Sequence, residues 1–136
     1  MNENVKDKIK IRLDPAEFRW DIPERIAELG YQYLIDDSKK NFIERIDMCK
    51  LSISTYNATT FLETLTLNFP TIVLFNSNHF ELRNNCLPLI DKLRNVGILH
   101  NDYRKAAAFL NNIEGDILGW WLDKDLQKIR VEFCEN

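Results

Sequence analysis

Glycine and proline are scarce in this chain of 136 residues, with four of each. That scarcity excludes collagen-like, linker-rich and low-complexity classes. Cysteine is also sparse. Cys49, Cys86 and Cys134 are odd in number, far apart and without a C-x-x-C spacing, which argues against a disulfide scaffold, a zinc site or a redox pair. They read as buried reduced thiols of a cytoplasmic protein. Nowhere do about 18 apolar residues run together to span a membrane, and the polar residues 2–10 lack the apolar centre of a signal peptide. Positive charge is not in excess either: 18 lysines and arginines against 21 aspartates and glutamates leave a formal net charge of -3. The basic residues are scattered, so the chain offers no electrostatic footprint for nucleic acid.

What is present suits an ordinary globule, with 45% hydrophobic and 29% charged residues. The length predicts one packed domain over residues 1–136. Ile9-Lys-Ile-Arg-Leu13 alternates as a first strand, ended by Asp14-Pro15. Ile22, Ile26 and Leu29 share a helical face, with Pro23 in the first turn and Gly30 where a left-handed C-terminal residue belongs. Residues 31–35 form a second strand, Phe42, Ile43 and Ile46 a helix, and Leu51 opens a third strand. Residues 70–75 make a fourth strand. Helices follow over about 82–95, ending before Gly97, over 103–113, and as one long terminal helix over 117–133, with a brief strand at 98–100. Strands alternating with helices of this length predict an α/β domain with a parallel sheet of four to five strands and helices on both faces.

In such sheets ligands gather beyond the carboxyl ends of the strands. The loops there carry Arg12 with Asp14, Asp36 with Asp37, residues 54–60, and residues 76–83, which include His79, Glu81 and Arg83. The segment 51–75 is the most telling. Ser54, Thr55, Tyr56, Asn57, Thr59 and Thr60 crowd a strand-to-helix turn with donors, and a helix N-terminus adds unpaired N–H groups and about half a positive charge. Such an end can hold a phosphate. Thr60-Phe-Leu-Glu63 also fits a capping box, which accounts for Thr60 and Glu63 without any ligand. Asp36 and Asp37 invite comparison with a magnesium-binding receiver domain, but the third strand ends in Ser54-Thr55 and no lysine ends the fourth. That class is set aside, and the pair reads as a turn or cap. Trp20, Trp120 and Trp121 bury area between helices or offer a face to a sugar. His100 has no motif around it and reads as structural or exposed.

Ser54-Thr-Tyr-Asn-Ala-Thr-Thr-Phe-Leu-Glu63, Asn68-Phe-Pro-Thr-Ile72, Asn78-His-Phe-Glu-Leu-Arg83, Gly119-Trp-Trp121 and Arg130-Val-Glu-Phe133 together resemble the C-terminal region of a family of bacterial surface-carbohydrate transferases. Those proteins look like GT-B glycosyltransferases, two Rossmann-like domains facing a cleft. Glu63, Asn68 and Pro70 are spaced as in the GT-B donor-site helix, where the Glu binds the ribose hydroxyls of a sugar nucleotide and the helix start faces its diphosphate. A carboxylate suits that task because it can accept two vicinal hydroxyl protons. Asn68 stands where those enzymes often have Gly, and Asn tolerates the left-handed conformation.

The resemblance implies a donor-binding domain in cell-surface polysaccharide synthesis, with Arg12, Ser54, Thr55, Asn57, Thr59, Thr60, Glu63, His79 and Arg83 around a nucleotide-activated sugar. Arg12 takes the phosphate role that related enzymes give to a His-Pro pair, because this chain has Asp14-Pro15 there. It further implies no metal and no cofactor besides the donor, a general base in an N-terminal domain or partner chain outside this sequence, and peripheral membrane association of the whole enzyme. The alternative is a truncated or split module that binds a nucleotide or a partner domain without turnover.

Overall fold

A computed structural model describes residues 3–14, 20–36, 39–56, 59–76 and 84–135, without the side chains of residues 3 and 4. The chain forms two compact units, Met1–Asn41 and Phe42–Asn136.

The first unit contains α1 (Glu3–Lys6), α2 (Ile22–Glu28) and a single 3-10 turn over Gln32–Leu34. The strands predicted at 9–13 and 31–35 shrink here to one parallel bridge between Ile11 and Ile35. It is held by two hydrogen bonds, from Ile11 N to Leu34 O and from Asp36 N to Ile11 O, both 2.8 Å. The alternation was real, since Ile9, Ile11 and Leu13 are half-buried and Lys10, Arg12 and Asp14 exposed. The ladder stops because Gln32–Leu34 curls into a 3-10 turn and leaves Ile35 alone to pair. A ladder needs consecutive extended residues on both strands.

The second unit runs α3 (Phe42–Ile46), β1 (Ser52–Ser54), α4 (Thr59–Thr66), β2 (Thr71–Leu74), a 3-10 turn (Asn84–Cys86), α5 (Leu87–Asn95), β3 (Leu99–His100), α6 (Tyr103–Ile113), α7 (Ile117–Trp121) and α8 (Lys124–Cys134). The sheet has three parallel strands among the described residues, in the order β1-β2-β3, rather than four to five. Ser52, Ile53 and Ser54 pair with Thr71, Ile72 and Val73, and Val73 and Leu74 with Leu99 and His100. Ile72 and Val73 point to opposite faces, and both are buried, as expected for a central parallel strand. Val73 and Phe75 pack in one core with Phe61 and Leu65 of α4, Ile90 and Leu93 of α5, Trp121 of α7 and Leu126 of α8.

The long terminal helix predicted over 117–133 is two helices, α7 and α8. Asp123 breaks it: its carboxylate accepts the Asp125 and Leu126 amides and caps α8, offering the backbone an alternative to helix continuation. None of the cysteines is fully buried, contrary to expectation. Cys49 and Cys134 are exposed and Cys86 is half-buried, because each sits at or beyond a helix end, away from the core.

Three helices end in the same way. After α2, α4 and α5 the chain turns through Gly30 (φ 77°), Asn68 (φ 54°) and Gly97 (φ 81°). In each case the next amide reaches back to a carbonyl of the last turn: Tyr31 N to Ile26 O, Phe69 N to Thr64 O, and Ile98 N to Leu93 O. This is the Schellman reversal, which satisfies the last carbonyls of a helix and redirects the chain. Only the reversal after α4 uses a residue with a side chain. Asn68→Ala is expected to destabilise the protein by about 1–2 kcal/mol, because Ala has a Cβ but lacks the short polar side chain that lets Asn tolerate the left-handed region, whereas Asn68→Gly stays within about 1 kcal/mol of the parent. Urea unfolding of the three proteins checks this order.

Candidate functional site

β1 carries Ser54 at its carboxyl end, where the Ser54 hydroxyl donates to the Tyr56 carbonyl at 3.1 Å and folds the start of the turn. Thr55 and Tyr56 are exposed beyond it. Thr59 begins α4, exposed, and Thr60 follows half-buried in the first turn. The predicted capping box needs Thr60 outside the helix, at the cap. The helix starts one residue earlier, so Thr60 takes helical backbone and the box does not form there. Ala58, which precedes the helix in sequence, has no capping oxygen.

Two other helices of this unit, α6 and α8, are capped by aspartates at their starts. Asp102 accepts the Arg104 and Lys105 amides at the head of α6, and Asp123 does the same for α8. The backbone bonds to Lys105 and Arg104 hold the Asp102 carboxyl below its usual range, opposed by slight desolvation. Those helix ends are occupied by a built-in anion. α4 has no acidic residue in its first turn, and neither has α5, whose N-cap Cys86 makes no side-chain cap bond.

Thr59 and Glu63, one turn apart, share an outer face of α4 with Leu62 and Thr66. Together with Ile43 and Leu67 they line a shallow groove of about 550 Å³. Glu63 is exposed there beside apolar neighbours. The structure thus brings Thr59 and Glu63 together on one surface, close in sequence to Ser54, Thr55 and Thr60, which do not line that groove. Arg12 belongs to the first unit, where its guanidinium donates to Lys40 O at 3.0 Å and lies 3.9 Å from the Asp36 carboxylate. Asn57, His79 and Arg83 lie outside the described residues, as do Asp37 and Glu81.

Two features that position α4 were not read from the sequence. The Arg130 guanidinium donates to Leu65 O at 2.8 Å and, through Nε, to Gln127 Oε1 at 3.0 Å. The Trp121 indole N–H donates to both Asn68 O and Asn68 Oδ1 at 3.0 Å. A cation and an N–H donor therefore meet the carbonyl end of α4, where its dipole is negative. Arg130 and Trp121 were prominent only as part of the motifs Gly119-Trp-Trp121 and Arg130-Val-Glu-Phe133, whose spacing to Leu65 and Asn68 no local pattern reveals. Trp121 is 1% exposed and Trp120 donates its indole N–H to Val96 O at 3.0 Å, so both serve packing.

The LIC12162 family of transferases matches residues 1–136, the whole chain. The chain belongs to that family. Comparison with curated proteins and with solved structures found no match. Among the described residues of this LIC12162-family chain, no helix is long and apolar enough to cross a membrane.

His100, at the end of β3, hydrogen-bonds Gly97 O through Nε2 at 2.9 Å and packs against Phe109 with ring centroids 5.0 Å apart. Burial lowers its pKa from the ordinary 6.5, partly offset by the bond to Gly97. A depressed folded-state pKa means that the fold disfavours the imidazolium. The stabilising contribution is present above the ordinary value and is lost as pH falls through the lower folded value. Unfolding free energy is expected to fall between pH 7.5 and 5.5 in the parent and less in His100→Gln, as urea titrations at the two pH values will measure.

Proposed function

We propose that the chain binds the nucleotide-activated sugar donor of a GT-B-like glycosyltransferase acting in cell-surface polysaccharide synthesis, within a Rossmann-like domain. The observation that carries this is the start of α4, with no acidic residue in its first turn, following a parallel strand in the chain, with Glu63 one turn further along the same face as Thr59. Membership in a transferase family supports it, as does the resemblance of the Glu63, Asn68 and Pro70 spacing to the GT-B donor-site helix.

In this assignment the first-turn amides of α4, with the hydroxyls of Thr59, Thr60, Ser54 and Thr55, meet the diphosphate. Charge builds on the leaving diphosphate as the glycosidic bond breaks, and fixed N–H groups and a helix dipole stabilise it without reorganising. Glu63 accepts the two ribose hydroxyls and fixes where the sugar carbon stands. Asn57, His79 and Arg83 are assigned to the same donor surface on the resemblance alone, with Arg83 suited to phosphate by its forked geometry. Arg12 is assigned to phosphate on the resemblance alone. The acceptor and the general base belong to a partner domain, so the chain by itself is expected to bind without turnover.

A second assignment has one observation in its favour. Glu63 shares its groove with Leu62, Leu67 and Ile43, all of them more than two-fifths exposed, an apolar surface that a non-catalytic split module would offer to a partner domain.

Calorimetric titration with UDP, GDP, CDP and CMP separates the two. Binding of at least one nucleotide, weakened about tenfold or more in Glu63→Ala with the circular dichroism spectrum unchanged, is expected for loss of charge-assisted bonds to the ribose. Absence of binding to all four, or undiminished binding in Glu63→Ala, contradicts the donor assignment.

A further inference from the structure

α5 and α8 pack as an antiparallel pair. Past the end of α5, Val96 O accepts the Trp120 indole, just ahead of α8, and Lys92 near that end pairs with Glu132 of α8. At the opposite end, the start of α5 meets the end of α8. Cys86 precedes α5 and Cys134 closes α8. Both line one groove of about 400 Å³, together with Leu89, Phe133, and Leu62 and Thr66 of α4. Both carry free thiols.

We infer that Cys86 and Cys134 form a paired dithiol, a modification site that a small disulfide oxidises to an intramolecular bond. The sequence gives no hint of it, because 47 residues separate the two cysteines. The topology supplies the proximity instead. Facing positions on packed helices can satisfy the Cβ spacing a disulfide requires. Cys134, the more exposed, reacts first. Its thiolate attacks the external disulfide, forms a mixed disulfide and expels one external thiolate. The Cys86 thiolate then attacks the Cys134 sulfur, forming the protein S–S bond and expelling the second thiolate. Two electrons pass from the cysteines to the external disulfide, and the two thiol protons end on the released thiols. Cys49, in the turn after α3, lies outside this groove and stays reduced. The bond would pin the start of α5 to the end of α8 and narrow the groove beside α4.

The test is incubation of the intact chain with oxidised glutathione, followed by thiol counting and peptide mapping by mass spectrometry. Two of the three thiols are expected to disappear in a monomer, with peptides joined through Cys86 and Cys134. Cys49→Ser should then retain no free thiol, and Cys86→Ser should stop at a glutathione adduct on Cys134. A monomer that accumulates stable glutathione adducts on both cysteines, keeps all three thiols, or links Cys49 to either partner overturns the inference.

Discussion

The reversal at Asn68 is the constraint on which the second unit depends. It turns α4 directly into β2, the central strand, so the positive φ of one residue fixes the angle between helix and sheet. Local geometry alone closes only part of it. The Trp121 indole and the Arg130 guanidinium, from helices more than fifty residues later in the chain, take up Asn68 O and Leu65 O. Trp121 gives Asn68 O a partner, and Arg130 adds a second, charged donor to Leu65 O, which also accepts the Asn68 amide at 3.1 Å. Gln127 extends the clasp by donating to Trp121 O at 2.7 Å and accepting from Arg130. Breaking one member leaves the others polar and half-buried, so the clasp behaves as a unit.

Holding the carboxyl end of α4 has a consequence at its other end. A helix is stiff over eight residues, so anchoring Leu65 and Asn68 also places Thr59 and Thr60 relative to Ser54 on β1. Preorganised N–H groups are effective toward a charged ligand because they need no reorientation when it arrives. The aspartates at 102, 116 and 123 satisfy the starts of α6, α7 and α8 from within the chain. Neither α4 nor α5 has an acidic residue in its first turn.

Much of this architecture could be read from residue order, and the failures have physical causes. The helix at 103–113 and the turns at Gly30 and Gly97 announced themselves through periodicity and left-handed glycines. Strand periodicity at 9–13 was genuine in burial yet gave one bridge, because pairing depends on a partner that chose a 3-10 turn. The split between α7 and α8 was marked by Asp123, a cap signal outweighed by continuous apolar spacing. The clustering of Thr59 with Glu63 followed from helical spacing, but their apolar groove mate Ile43 comes from α3, a segment that periodicity treats separately. Long-range hydrogen bonds such as those of Arg130 leave no local trace.

The central claim is that the first-turn amides of α4 are open to a diphosphate while the capped starts of α6 and α8 are closed. Titration of the isotope-labelled chain with inorganic pyrophosphate, followed through backbone amide chemical shifts, tests this within one molecule. The amides of Thr59, Thr60 and Phe61 are predicted to shift in a saturable way, and those of Arg104, Lys105, Asp125 and Leu126 to stay in place. Unmoved α4 amides, or equal shifts at all three helix starts, would contradict it.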